Sequence, residues 1–573
     1  MTVVQDYFIH TKKWKGMYGE KTIVLMQVGS FFEVYALRGE NNTYLGSDIV
    51  EFSKINDMAI ANKKSKTKDD NGIIRDVLMA GFGLPQLDKY INKLQTHGYT
   101  IAVYTQDAPV KNAKRSLSCI VSPGTHFSED STKLSNNIMC IWIEHTSANK
   151  IHREQVTVGI ATLDILTGHV STTQFNKDYY HNPCTYDELE RIVSLYNPSE
   201  SIIITNLSND ILQEIVAFTN LQSMKIHKVC IGDDSAGVAS HDDAFGFCEI
   251  AKRAEKQTYQ IATMEIFYPN IPEEEIVDNF PSHWVALQSL TFLLNFVHQH
   301  NPNLVNKLQP PVFENHSDKL ILANHSLKQL NMLPENSQGG KLRSVSTFLN
   351  SCVTVMGKRE FNRLLYNPTT NPAWLQEAYD ITDYAIENEL WSNYRAQLSG
   401  VNDIEKFSRK LAMKRVLPKE LAGFYSDVSR ISSLYDDVVK KSPIIEYLHK
   451  QNGSDNIQNA CRAICEQIHD TFHIDKCGQL CNLSNDAIGS LTSTDDFFIK
   501  TGVSAEIDKI VDDCLNSRKK LECIREWLSH QVESIEKQGK STSNAKAKAK
   551  AKAKETADFM QGLLSTETAT VKK

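Results

Sequence analysis

The sequence predicts a multidomain protein of mixed α/β plus all-α class, with a small mixed α/β domain, a second mixed α/β domain and an elongated helical region. Strand-like and helical runs alternate from the N-terminus to about residue 128 and do so again from about 135 to 245. After about 246 the apolar period becomes helical and holds to about 535. A chain of 573 residues is too long for one core, and its length suggests about three to five domains. We place them at 1–128, 129–245 and 246–535, followed by a Lys/Ala-rich tail over 536–573.

In the first domain the runs 22–27 and 31–37 read as strands separated by a Gly29-Ser30 turn signal. A helix near 88–97 and a strand over 100–104 follow, and Ser122-Pro123-Gly124-Thr125 closes the domain as a turn and linker. In the second, strands over 138–144, 156–165 and 169–175 precede a helix over 186–196, a strand over 201–205 and a helix from Asp210. Strands first and alternation later fit a mixed sheet flanked by helices. Amphipathic stretches over 284–299, 345–366, 402–414 and 504–531 leave little room for sheet in the third region. Packed helices move as rigid bodies, so such a region makes a good lever. In the tail, residues 544–555 alternate lysine and alanine; a period of two puts lysines all round a helix, so a solvated helix or disordered tail is expected.

The stretch Met26-Gln27-Val28-Gly29-Ser30-Phe31-Phe32-Glu33-Val34-Tyr35 is the most informative. Side chains alternate along a strand, so Phe31, Glu33 and Tyr35 share one face while Phe32, Val34 and Ala36 share the other. One face can be core while the other presents a ring with an acid beside it, a pairing suited to wedging into a base stack and bonding to a base edge.

With 41% hydrophobic and 23% charged residues the composition is that of an ordinary globular protein. No run reaches the ~18 to 20 apolar residues that span a bilayer, and the N-terminus has no signal-peptide pattern, so an intracellular protein without membrane contact is expected. Twelve scattered cysteines in a long chain fit reduced thiols. A net charge of -7 excludes a uniformly basic coat but not a local basic channel. Lys12, Lys13 and Lys15 precede the first strand, Lys63, Lys64, Lys66 and Lys68 sit in a polar loop, and Lys111, Lys114 and Arg115 form a third group. Each is open to two readings, solvated surface or phosphate contact.

Three constellations do not make sites. Gly539-Lys540-Ser541 has Ser534 where a P-loop needs its leading glycine, and Gly339-Gly340-Lys341-Leu342 lacks both spacing and hydroxyl. Cys461, Cys465, His469, His473, Cys477 and Cys481 recur every four residues, but such a stripe rotates by about 40° per step, so they cannot all converge on a metal, and Gly478 is expected to break the helix. We therefore expect no catalytic residues, metal or cofactor site.

The Phe31-x-Glu33 segment resembles the Gly-x-Phe-x-Glu-x-[Phe/Tyr] element of the MutS family of mismatch-recognition proteins. Six further blocks are similar to that family in order. They are Ala80-Gly81-Phe82-Gly83-Leu84-Pro85 with Tyr90, Leu94, Gly98 and Gln106; Arg115 through Thr125; and Gly159 through Gly168. Leu349-Asn350, Thr354, Met356-Gly357-Lys358-Arg359 and Asn367-Pro368 make the fourth. Asp403-Ile404-Glu405 with Arg409 and Pro418-Lys419-Glu420-Leu421, then Phe498 to Gly502 with Glu506 and Asp508, complete the series. The resemblance is to the giant-virus and octocoral-mitochondrial type. Gly83 and Leu84 interrupt the family's Ala-Gly-x-Pro pattern, so a rebuilt loop is expected there.

The resemblance implies a mismatch-binding domain, a connector and a helical lever with an incomplete clamp. It implies that Phe31 stacks at a mispaired or bulged site in double-stranded DNA, that Glu33, in its protonated form near phosphates, bonds to a base, and that Lys12, Lys13, Lys15, Lys63, Lys64, Lys66, Lys68 and Arg115 are backbone contacts. Relatives use ATP and Mg²⁺ in a C-terminal ATPase domain and pair with a second subunit. No counterpart of that domain is expected in this chain, which leaves a second MutS-like subunit or a separate ATPase chain as a possible partner. The alternative expectation is a structural or interaction module, or a truncated fragment, that binds a partner rather than DNA.

Overall fold

The computed structural model describes residues 2–539 except 41–42, 70, 108–113, 131–132, 148–152, 222–224, 232–246, 273, 275–277, 279, 315–318, 321–323, 334–339, 341, 453–456 and 481–496. The tail reading over 544–555, Lys111, Cys481 and the Lys540-Ser541 pair therefore lie outside the described residues, as does most of Gly339-Gly340-Lys341. The expected architecture of mixed α/β sheets followed by helices is what the structure shows. By contacts it divides into two units, Met1–Tyr384 with Asp403–Arg415, and Ala385–Asn402 with Val416–Lys573.

The first unit opens with helix α1 (Val3–Tyr18), where a strand-preceding basic segment was expected. A capping box explains its start: the Thr2 side chain accepts from the Gln5 amide, and the Gln5 side chain accepts in turn from the Thr2 amide. Val4, Tyr7, Thr11, Trp14 and Tyr18 form a buried stripe at helical spacing. Strands β1 (Thr22–Val28), β2 (Phe31–Arg38), β3 (Tyr44–Leu45), β4 (Ala61–Lys68), β5 (Ile74–Gly83), β6 (Thr100–Gln106) and β7 (Arg115–Val121) form one sheet in the order β4-β5-β2-β1-β6-β7, with β3 on β2. The β1–β6 pair is parallel; the others are antiparallel. Helix α1 covers one face through Tyr7 on Tyr35 and Trp14, which donates to the Tyr104 hydroxyl at 2.9 Å. Helices α2 (Ile49–Asn56) and α3 (Leu87–Thr96) cover the other, where Phe32, Phe52, Phe82 and Tyr90 pack.

The second sheet runs β12-β11-β8-β9-β10-β13, from β8 (Asn137–Thr146), β9 (Gln155–Asp164), β10 (Val170–Asp178), β11 (Glu200–Thr205), β12 (Lys225–Cys230) and β13 (Val312–Phe313). One face packs α4 (Asp187–Tyr196) and α5 (Asn209–Phe218). The other packs α6 (Phe247–Ala254), α7 (Gln257–Phe267) and α8 (Phe280–His300). Gly159 sets how closely α8 approaches. A Cβ there would lie 2.3 Å from the Val285 carbonyl carbon, and Ser289 donates to the Gly159 carbonyl at 2.9 Å. β12 and the short β13 escape a reading based on apolar runs; β13 exists through its parallel pairing with β10.

A helix over Ile404–Ala412 joins this unit through charge. Arg359 grips Asp403 at 2.6 and 2.8 Å and reaches Glu405 at 2.5 Å, while Arg409 donates to the Leu304 and Asn306 carbonyls. The expected 345–366 helix is two, Val345–Leu349 and Val355–Tyr366, the second capped by Thr354.

In the second unit, a helix over Pro418–Val439 packs on those over Ile457–Thr471 and Ile474–Gln479, and a 35-residue helix spans Ala505–Gly539. The cysteine-histidine stripe breaks at Phe472, which bridges to Ile499, rather than at Gly478, which lies inside a helix. Among the described residues no group of three or more His, Cys, Asp or Glu could hold a metal ion, and no helix is long and apolar enough to cross a membrane.

A buried carboxylate ties the first sheet's exit to the second sheet. Glu200 accepts from His227 at 2.6 Å, from the Gly124 amide at 2.9 Å and from the Ser122 hydroxyl. Burial pushes its pKa up, but these bonds, His227 foremost, hold it at about 2. His300 packs edge-on to Tyr18, and burial lowers its pKa to about 4. His126 is likewise lowered to about 4 by burial.

In each case the unfolded chain binds the proton first, so stability falls as pH falls. The histidine contributions are lost between about pH 6.5 and 4, and that of Glu200 between about 4.5 and 2. Urea unfolding at stepped pH should show this decline, and His300→Gln should flatten its upper limb. An unchanged slope in that variant would show that His300 does not contribute to the decline.

Candidate nucleic-acid interface

Gly29 and Ser30 join β1 to β2 in a two-residue turn, with Val28 paired to Phe31 and Gly29 at φ +61°. A positive φ at the first central residue suits the twist of a tight hairpin, and glycine takes it without strain. Phe31 stands immediately after the turn with 53% of its surface exposed. It is the one large apolar side chain of β2 left to solvent, since Phe32, Val34, Tyr35, Ala36 and Leu37 are all buried.

The shared face of Phe31, Glu33 and Tyr35 is therefore not an open one. Helix α1 covers it from Tyr35 onward, and Glu33 is only 8% exposed. The physical reason is that β2 is a central strand with helices on both sides. Glu33 is held by two donors on the same oxygen: the Tyr35 hydroxyl at 2.5 Å and the Lys63 ammonium at 2.7 Å, both to Oε2. Lys63 also lies 2.8 Å from the Tyr35 hydroxyl and 4.4 Å from its ring centroid. Burial, then the bond to Glu33, raises the Tyr35 pKa, so its hydroxyl stays a donor.

Gly81, paired with Glu33, permits this arrangement. A Cβ there would meet the Phe32 carbonyl oxygen at 2.5 Å. β5 runs on through Gly83, and the Leu84 amide bonds the Ser30 carbonyl at 3.0 Å, so the interrupted Ala-Gly-x-Pro segment buttresses the hairpin turn.

The basic residues divide. Lys63, Lys64, Lys66 and Lys68 are not in a loop: they lie on β4, an edge strand whose alternation turns Lys63 inwards and leaves Lys64, Lys66 and Lys68 exposed. Ala61-Asn62-Lys63-Lys64-Ser65-Lys66-Thr67-Lys68 carries no apolar period, and its strand exists because β5 offers an edge to pair with. Lys66 pairs with Asp76 at 3.3 Å. Lys12, Lys13 and Lys15 are on α1: Lys12 and Lys13 are exposed, Lys13 lies 4.8 Å over the Trp14 ring, and Lys15 is paired with Glu20 and Asp48. Arg115 opens β7 and donates to the Gln27 carbonyl at 2.7 Å. The structure thus brings Phe31 and Glu33 of β2 together with Lys63 of β4, which reaches Glu33 across β5, and gives Lys15 and Arg115 partners within the fold. Lys63 as the partner of Glu33 went unrecognised in the sequence, because the two stand thirty positions apart on strands separated by β5.

Comparison with known proteins matches residues 10–130 to MutS domain I and residues 325–567 to MutS domain III. A putative DNA mismatch repair protein mutS homologue of Acanthamoeba polyphaga mimivirus is 24% identical over 482 residues, 79% of this chain and 42% of that protein. The DNA mismatch repair protein MutS of Thermotoga neapolitana is 21% identical over 534 residues, 91% of this chain and 53% of its own. That of Cytophaga hutchinsonii is 22% identical over 503 residues, 87% and 49% respectively. The chain spans about half, or less, of the length of these relatives. A sheet matching one domain and a later helical stretch matching another define the class, a modular chain with MutS domain I ahead of MutS domain III. The chain belongs to the MutS family.

Proposed function

We propose that this protein acts in DNA mismatch repair by binding mispaired or bulged duplex DNA through the first sheet. The exposure of Phe31 at a hairpin turn, two residues from a buried and hydrogen-bonded Glu33, carries the reading. The ring inserts beside an unpaired base from the minor groove, at an unstacking cost of a few kcal/mol that is least where pairing is already defective. Bending the duplex is also cheaper at such a site. Discrimination then comes from the weakness of the DNA.

Glu33 bonds to a base edge, while Lys12, Lys13, Lys64 and Lys68 are candidates for phosphate contacts that position without specifying sequence. ATP and Mg²⁺ are assigned no residues in this chain. A second MutS-like subunit or an ATPase chain is the proposed protein partner.

A ring stacked on a base is worth about 1 to 3 kcal/mol. Phe31→Ala should therefore lower affinity for a G·T or one-base-bulge duplex towards that for homoduplex, measured by fluorescence anisotropy at fixed salt. Equal loss on both DNAs would count against insertion. Glu33→Gln removes a charge near the phosphates, so it should tighten homoduplex binding and reduce discrimination; an unchanged ratio would sink the role given to Glu33.

A further inference from the structure

Lys63 does more than lie near the interface. All the contacts of the Glu33 carboxylate run to one oxygen: Oε2 accepts from both Tyr35 and Lys63, whereas Oε1 has no partner among the described residues. A carboxylate fixed through one oxygen presents the other in a defined direction, and as a member of an ion pair it can only accept. We propose that Lys63 is a specificity-determining positioning residue, whose ammonium holds Glu33 as an ion-paired acceptor with Oε1 offered to the base. This rests on the reading of Phe31 and Glu33 as the mismatch site. The base edge so recognised is one that donates a hydrogen bond, a ring N–H or an exocyclic amino group, in preference to a lone-pair nitrogen.

Two structural roles are separated from this one by experiment: breaking a partly buried ion pair is itself destabilising, and lysines on an edge strand also block sheet extension, but neither role ties the mismatch preference to the Glu33 charge. Lys64, Lys66 and Lys68 stand exposed on this edge. Lys63 points inwards instead, its side chain 27% exposed against 10% for that of Glu33. The other groups here are Tyr35, which donates to Glu33, and Arg115 from β7 and Tyr7 from α1, which act on Tyr35. The one histidine of α1, His10, stacks on Tyr104 and is common to every variant below, so its titration cancels in the comparison.

Removing Lys63 would leave a largely buried carboxylate with the Tyr35 hydroxyl alone, and such a group takes up a proton as pH falls. The test compares the unchanged chain with Lys63→Met, Lys63→Arg and the double variant Lys63→Met/Glu33→Gln. Binding to a duplex with one unpaired thymine and to its homoduplex is measured by anisotropy at fixed ionic strength, after thermal melts show that each variant is folded. Between about pH 6 and 8.5 the unchanged chain and Lys63→Arg should vary by no more than about twofold on the bulge. Lys63→Met should tighten about fivefold or more as pH falls across that window and lose its preference at the upper end. The double variant should be flat, because the titrating group is gone.

A flat profile with an unchanged preference ratio in Lys63→Met overturns the proposal, as does a pH dependence that survives in the double variant. The two layers separate cleanly. A chain whose preference depends on Phe31 but ignores Lys63 overturns the Lys63 assignment alone, whereas one with no Phe31-dependent preference overturns the mismatch reading and this inference with it.

Discussion

The constraint on which the first unit depends is the burial of the Glu200 carboxylate. An ion taken out of water must find its hydrogen bonds inside the protein or cost several kcal/mol. Glu200 finds them in two places: the loop that leaves the first sheet, through Ser122 and Gly124, and the neighbouring strand, through His227. Lys225, next but one to His227, then donates to the Tyr18 carbonyl at 2.5 Å and the Thr100 hydroxyl at 3.0 Å. The end of α1, the start of β6, the loop that leaves the first sheet and the second sheet are thereby held together by polar contacts whose loss would strand a buried charge. Hydrophobic packing alone would tolerate sliding; directional bonds to one carboxylate do not.

The same principle, on a smaller scale, shapes the interface. Glu33 is buried and bonded, and the strand that carries it is fixed on both faces, by α1 through Tyr7 and Tyr35 and by α2 and α3 through Phe52, Phe82 and Tyr90. Only the two end residues of that strand escape cover, Arg38 at the far end and the apolar Phe31 beside the hairpin turn. An exposed ring at the end of a rigid strand differs from one on a loop, because its position is already settled before anything binds.

Much of this is legible in the sequence where the chemistry is periodic or local. The strand pair around Gly29-Ser30, the helix ending near His97, the second sheet's first strands and the long apolar helix over Phe280–His300 all announce themselves by spacing. The misses have physical causes. Helix α1 is masked by its lysines, which interrupt the buried stripe Tyr7, Thr11, Trp14 and Tyr18, although Thr2 and Gln5 spell its cap. β4 contains no large apolar side chain, so no hydrophobic period could reveal it, and its existence is a fact about the edge of β5. The partnership of Lys63 with Glu33 joins residues thirty positions apart and needs the strand order to be known. The openness of the Glu33 face could not be judged from alternation, which says that two faces exist but not that both are covered.

Glycines show where a family resemblance becomes physics. Gly81 and Gly159 sit in two of the segments that carry it, and each marks a place where a backbone passes too close for a Cβ: the Phe32 carbonyl in one case, the Val285 backbone in the other. Arg359, Asp403 and Glu405, from two further segments some forty residues apart, close into one ion cluster. Motifs that look unrelated along the chain are therefore the two sides of single contacts. A glycine under a carbonyl or an arginine gripping two acids can change only if its partner changes with it, a constraint that an exposed lysine does not carry.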